Sequence, residues 1–364
     1  MGGGASNRLN GTGSVLVGGI HNDVAQSDVF LGGGKCNLAS GNGSVIVGGL
    51  CNTASGNCSF IGGGVCNQVD STSTFVFVGS GLRNKAGGYS VVVGGLNNTA
   101  STSYGFIGAG RNNEICTGTN DNFIGAGCGN VINCTSCISV IVGGASNTIG
   151  SNTCCNFLGG GAFNCIGANR TNFSSIVGGC CNTIESTDPN NCCQFQFIGG
   201  GSRNCSAKTY SVIVGGIRNS SSACCGFIGT GCENQVGGSS VVHAAVLAGL
   251  RNKASGSYSA VVNGVCNCVT GACSIIGGGF KNTASASCSG ILGGCCNYIS
   301  HAHSFGIGTH LTSSATCTTY VNNFHSTGSL GSTNVVILAN LPTSDPNNIG
   351  QVWNDSGTLK ISAG

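Results

Sequence analysis

A four-residue signature, Gly-x-x-Asn, recurs along almost the whole chain, most often at a spacing of 15 residues. Its asparagines are Asn22, Asn37, Asn52, Asn67, Asn84, Asn98, Asn113, Asn130, Asn147, Asn164, Asn182, Asn204, Asn219, Asn234, Asn252, Asn267, Asn282 and Asn297, each with a glycine three residues before it. A degenerate unit from Ser304 to Thr312 brings the total to about nineteen repeats. Short fixed-period repetition marks a solenoid, in which no unit can bury its apolar face alone and stability comes from stacking.

Within a unit the order is Ser, two or three apolar residues, Gly-Gly, two variable residues and Asn, as from Ser44 to Asn52 and from Ser59 to Asn67. The apolar run is expected to form one short strand per unit, with Val, Ile and Phe stacked as the core. Gly-Gly permits a sharp turn, and Asn tolerates the left-handed conformation. Stacked about 4.8 Å apart, the Asn side chains are expected to form an amide ladder. Its most regular members are Asn22, Asn37, Asn52 and Asn67, then Asn267, Asn282 and Asn297. Positions 17, 32, 47 and 62 alternate Val and Gly, which leaves open whether one coil takes 15 or 30 residues. Coils this small enclose little volume, which favours several chains around a shared axis, three being the simplest arrangement. The longest connection, between Asn182 and Asn204, is where a side loop is expected to emerge.

Composition narrows the fold class. With 67 glycines, 6% charged and 40% hydrophobic residues, the chain is too apolar for disorder. Only 3 prolines exclude collagen, and the scarcity of Glu and Lys disfavours long helices. An all-β chain remains. The net charge of +3 has no Lys/Arg cluster, so no nucleic-acid partner is expected. No apolar run reaches the roughly 18 residues of a membrane span. Read as a native start, Met1 to Asn7 has neither a basic nor an apolar segment, so no secretory signal is expected.

The 26 cysteines fall in columns. Cys36, Cys51 and Cys66 each precede the repeat Asn, and Cys273 and Cys288 each lie nine before it. Neighbours one coil apart lie within disulfide reach, so these two columns are candidates for axial cross-links, against a reading of Cys as small core filler. Zinc is disfavoured: Cys134 to Cys137 is the lone Cys-x-x-Cys, and the five vicinal Cys pairs are expected on opposite faces of a strand. His301 and His303, placed in a strand, would share a face and are the candidate metal ligands, on the axis of a trimer; no other cofactor is expected. Enzymatic activity is not expected. There are only 10 acidic residues, and the nearest useful pair, Glu185 and Asp188, lies in one loop.

Two resemblances follow from these residues. Ser44 to Asn52 and Ser90 to Asn98, with the Asn-Thr-Ala-Ser continuation at Asn52 to Ser55, resemble the head repeats of trimeric autotransporter adhesins. That likeness implies a left-handed parallel β-roll with three chains side by side. Leu341 to Pro346 and Gly350 to Ser362 resemble a terminal segment of phage and large-virus fibre proteins; in similar phage fibres His-x-His pairs bind iron. Independently, Gln351 to Trp353 and Thr358 to Ile361 read as two strands around a turn.

The expected fold is therefore an all-β parallel β-solenoid or β-roll over residues 1–312, trimeric, with a non-repeat C-terminal cap or tip over 313–364. The expected function is structural: a virion fibre or appendage displayed for host attachment, with other virion proteins and a host-surface receptor or glycan as partners. The competing reading is a self-assembling extracellular filament or cell-surface adhesin.

Overall fold

The computed structural model describes residues 2–118, 120–168, 170–185, 195–322, 343–344, 352–355 and 358–363. The chain forms two units, residues 1–322 and 323–364. The first is a parallel β-solenoid. Every coil contributes two strands of mostly two residues, joined to the same strands of the coils before and after it. One ladder has 19 strands and runs through Arg8–Leu9, Asp23–Val24, Leu38–Ala39 and Thr53–Ala54; the other has 20 and runs through Val15–Leu16, Phe30–Leu31, Val45–Ile46 and Phe60–Ile61. A third contact per coil is a single parallel bridge, in the series Ile20, Lys35, Leu50, Val65.

The strand register settles the coil length. Arg8 pairs with Asp23, Asp23 with Leu38 and Leu38 with Thr53, each one repeat apart. One Gly-x-x-Asn unit is therefore one coil, and the Val/Gly alternation has another origin. The stack also begins earlier than expected. Asn7, with Gly4 three before it, takes part in the ladder, its Nδ2 donating to Gly19 O at 2.7 Å and its Oδ1 accepting from Asn22 N at 3.0 Å. At the other end, Phe305–Ile307 pairs with Thr319–Val321, so stacking passes the boundary expected at residue 312.

Strand alternation decides what is inside. In Ser59-Phe60-Ile61-Gly62 the serine and isoleucine point inward, and the phenylalanine and glycine outward. The core is two aliphatic columns. Leu16, Leu31, Ile46 and Ile61 begin one; Val24, Ala39, Ala54 and Val69 begin the other, all fully buried. The Asn column and a Ser column complete the interior. Phenylalanine does not stack in the core as expected, because its ladder position faces outward: Phe77 is 38% exposed. Each coil closes its core with its own residues, so no second chain is needed to complete it.

The Asn ladder is built differently from a simple amide stack. Asn147 is fully buried, and its Nδ2 donates to Gly143 O of its own coil and to Gly161 O of the next, both at 3.0 Å. Its Oδ1 accepts from Asn164 N at 3.0 Å and from Asn164 Nδ2 at 3.2 Å. The side chain thus satisfies glycine carbonyls and a backbone N–H that the tight corner turns inward. The left-handed residue is the one before the Asn, such as Cys51 at φ 55°, not the Asn itself. The glycine three before is also required. Gly49 has φ +104°, and a Cβ there would lie 2.6 Å from Asn52 Nδ2.

In the second unit Val352–Asp355 and Thr358–Ile361 form an antiparallel hairpin, with Val352 opposite Ile361 and Asp355 opposite Thr358. The first strand runs two residues further than the sequence suggested.

Asn147→Ala should destabilise the solenoid by about 3–5 kcal/mol, since each unsatisfied buried group costs about 1–3 kcal/mol. Asn147→Asp should be worse at pH 7 than at pH 4, because a carboxylate would face two carbonyls. Urea unfolding of both variants, with hydrogen exchange on the flanking coils, checks this; equal stability of Asn147→Asp at both pH values would contradict it.

Candidate interaction surface

The outward positions of the longer ladder form two adjacent columns. The first reads Val15, Phe30, Val45, Phe60, Phe77, Val91 and onward to Phe305; the second reads Val17, Gly32, Val47, Gly62, Gly79, Val93 and onward to Ile307. Neither column holds a charged residue in any coil. The larger side chains of the second column are solvent-exposed, Val47 at 48% and Leu292 at 59% among them, while those of the first column are exposed in some coils and half-buried in others. The charges sit elsewhere and pair along the axis: Arg8 with Asp23 at 2.8 Å, Lys85 with Asp70 at 3.2 Å, and Glu233 between Arg251 at 2.6 Å and Arg218 at 3.3 Å. The Arg251 guanidinium, and then that of Arg218, holds the half-buried Glu233 carboxyl below its usual range.

Packing within this strip explains the Val/Gly alternation. Where the first column has Phe, the second has Gly two residues on in every coil but the last, as in Phe30/Gly32, Phe77/Gly79, Phe123/Gly125 and Phe197/Gly199; Phe305 is followed by Ile307. The ring lies across the glycine, where a Cβ on Gly125 would be 3.2 Å from Phe123 Cε1, and the next coil's backbone comes closer still, with Val142 O at 2.4 Å. Where the first column has Val, the second also has Val, as in Val45/Val47, Val91/Val93 and Val140/Val142. Two successive Phe coils bring rings into register, so that Phe60 stacks on Phe77 and Phe106 on Phe123, both at 5.2 Å. One large group plus none, or two of middle size, gives an even apolar relief.

Insertions leave at one corner, between the two ladders. The bridges Asn57–Thr74 and Ser103–Asn120 mark coils lengthened there, and the strands Ser220–Cys224 and Gln235–Val242 extend from it. The connection expected to carry a side loop departs from the same corner after Glu185, but residues 186–194, with Asp188, lie outside the described residues. Residues at this corner, left-handed except for Tyr89, stack their rings: Phe75 on Tyr89 on Tyr104, Phe173 on Phe195 on Tyr210, and His243 on Tyr258.

Cysteines line the outside. Cys36, Cys51, Cys66, Cys273 and Cys288 are exposed thiols at left-handed corners. The one disulfide among the described residues is Cys137–Cys154, an axial link between neighbouring coils in a different column. Both lie ten before their repeat Asn, a shared offset that was readable in the sequence. Cys137 is thereby unavailable to a Cys-x-x-Cys site. Of the vicinal pairs, Cys180/Cys181 and Cys295/Cys296 do not point apart: their sulfurs are 3.0 and 2.8 Å from each other. The second cysteine of each has φ 58° at a corner, so strand alternation does not apply. Burial pushes the Cys116 thiol up to about 12, helped by Cys134 and Glu114, and burial beside Glu185 takes Cys205 to about 11.

His301 and His303 lie in a turn rather than a strand. His301 Nδ1 is 2.9 Å from Ser313 Oγ, while His303 is a left-handed corner residue. Among the described residues no helix is long and apolar enough to cross a membrane. No known protein family matches the chain, and no curated protein sequence is similar to it.

Two outcomes test this geometry. Gly125→Val should destabilise by about 1–3 kcal/mol through overpacking, and because the Val142 carbonyl is the closest obstacle, Phe123→Val should recover little of it, with a coupling below about 0.5 kcal/mol in a double-mutant cycle read by thermal unfolding. Cys116 and Cys205 should be among the last thiols alkylated at pH 8, since little thiolate exists there; peptide mapping that finds them among the first would contradict their burial.

Proposed function

We propose that this chain is the structural subunit of a fibre or surface appendage, homotrimeric through its uncharged apolar strip and displayed on a virion for host attachment. The observation that carries this is the strip itself, at least partly exposed in nearly every coil from Val15 to Ile307 and without one charge. Some twenty coils at about 4.8 Å make it roughly 90 Å long, and the columns are about 7 Å apart, giving on the order of 600 Å² before side-chain width is added. That exceeds the few hundred Å² a monomer ordinarily exposes and approaches the roughly 800 Å² per partner of a stable interface. A symmetric assembly around one axis would cover equivalent strips at once. The resemblance of the repeats to adhesin heads and of the C-terminal segment to virus fibres supports the attachment role, with the insertion corner left facing outward to a receptor or glycan.

Light scattering on the purified chain should give a trimer, and Val93→Lys with Val142→Lys should give a folded monomer with unchanged circular dichroism. A wild-type monomer, or a trimer indifferent to both lysines, would overturn the proposal. Negative-stain images of long unbranched filaments would favour the extracellular filament instead.

A further inference from the structure

Two corner columns have the same unusual make-up. In four consecutive coils one carries His21, Cys36, Cys51 and Cys66; near the other end of the stack a second carries Cys273, Cys288, His303 and Cys317. Each member is exposed and left-handed, with φ between 54° and 57°. Each also donates its backbone N–H to the coil before it in the same way, as Cys36 to Ile20, Cys51 to Lys35, Cys288 to Ala272 and Cys317 to Ala302. Identical backbones direct the side chains in parallel, so with equal rotamers the sulfurs sit one coil spacing apart. At Cys137–Cys154 that spacing is 4.7 Å between Cα atoms.

We propose that these columns bind thiophilic monovalent cations of the Cu(I) class, each ion held linearly between the sulfurs of successive coils. Two metal–sulfur bonds of about the zinc–thiolate length, 2.3 Å, laid end to end span about 4.6 Å, close to the coil spacing. A disulfide at the same place must instead draw its sulfurs together to 2.00 Å, as at Cys137–Cys154. Among the described residues no three His, Cys, Asp or Glu side chains converge on one point, so zinc-like tetrahedral sites are disfavoured while two-coordinate ones are not. On binding, each thiol gives its proton to solvent and each thiolate donates a lone pair to the ion; no electron is transferred. Because each ligand thiol must lose its proton to bind the ion, affinity should fall as pH falls.

The middle cysteine gives the test. Full-length reduced protein is titrated anaerobically with Cu(I) against the chelator bicinchoninate, with X-ray absorption on the loaded sample. Cys51→Ser should lose the ion held by this column, because Cys36 and Cys66 are then two coils apart and cannot share one. Cys36→Ser should keep an ion between Cys51 and Cys66. Cys128→Ser, whose neighbours along its column are Arg111 and Ala145, should change nothing. Linear two-sulfur coordination is the expected spectrum. Equal retention by Cys51→Ser and Cys36→Ser, or coordination by three or four sulfurs, would overturn the proposal; circular dichroism confirms that each variant is folded.

Discussion

The solenoid depends on how it satisfies the carbonyls at its glycine corner. A fifteen-residue coil must turn so tightly there that two glycine carbonyls and one backbone N–H face an interior with no water. The repeat Asn answers all three at once, as Asn147 does with Gly143, Gly161 and Asn164. Because two of the three partners belong to a neighbouring coil, the same bonds that close one coil fasten it to the next. The aliphatic core alone would be thin: in most coils one Ile, Leu or Val and one Val, Ala or Ile, with Ser206 and Ser221 taking the second place in two coils, contribute only a few kcal/mol per coil. Cohesion therefore rests on hydrogen bonds between coils, and the signature persists where every other position varies.

Much of this was legible in the sequence. The repeat identified an all-β solenoid and its glycine and asparagine, and the two C-terminal strands were legible from their own residues. What was misassigned follows from one omission, the inside–outside alternation of the strand. Counting inward from Ser59 puts Ile61 in the core and Phe60 outside, and the pairing of Phe with Gly then reveals a packed outer face rather than a 30-residue coil. The first coil at Asn7 was overlooked although Gly4 precedes it. Conformation at corners was harder to read: Cys181 and Cys296 depart from strand geometry because they occupy a left-handed position that only register could assign.

Regular stacking turns sequence offsets into spatial columns, so the surface is written as stripes. An uncharged stripe offers a partner-sized apolar contact, a corner stripe gathers insertions and stacked rings, and two short stripes gather Cys and His. None requires a cleft. Any residue's neighbours are set by its offset from the nearest repeat Asn.

The central claim is that each Gly-x-x-Asn unit is one complete coil. Asp23 and Glu114 occupy the same ladder through Leu38, Thr53, Gln68, Lys85 and Thr99, six coil steps apart. Nitroxide labels carried on unnatural amino acids at these two positions, measured by pulsed dipolar electron paramagnetic resonance, should report a separation of about 29 Å at 4.8 Å per step. A separation of about 14 Å, as two repeats per coil would give, would contradict the account.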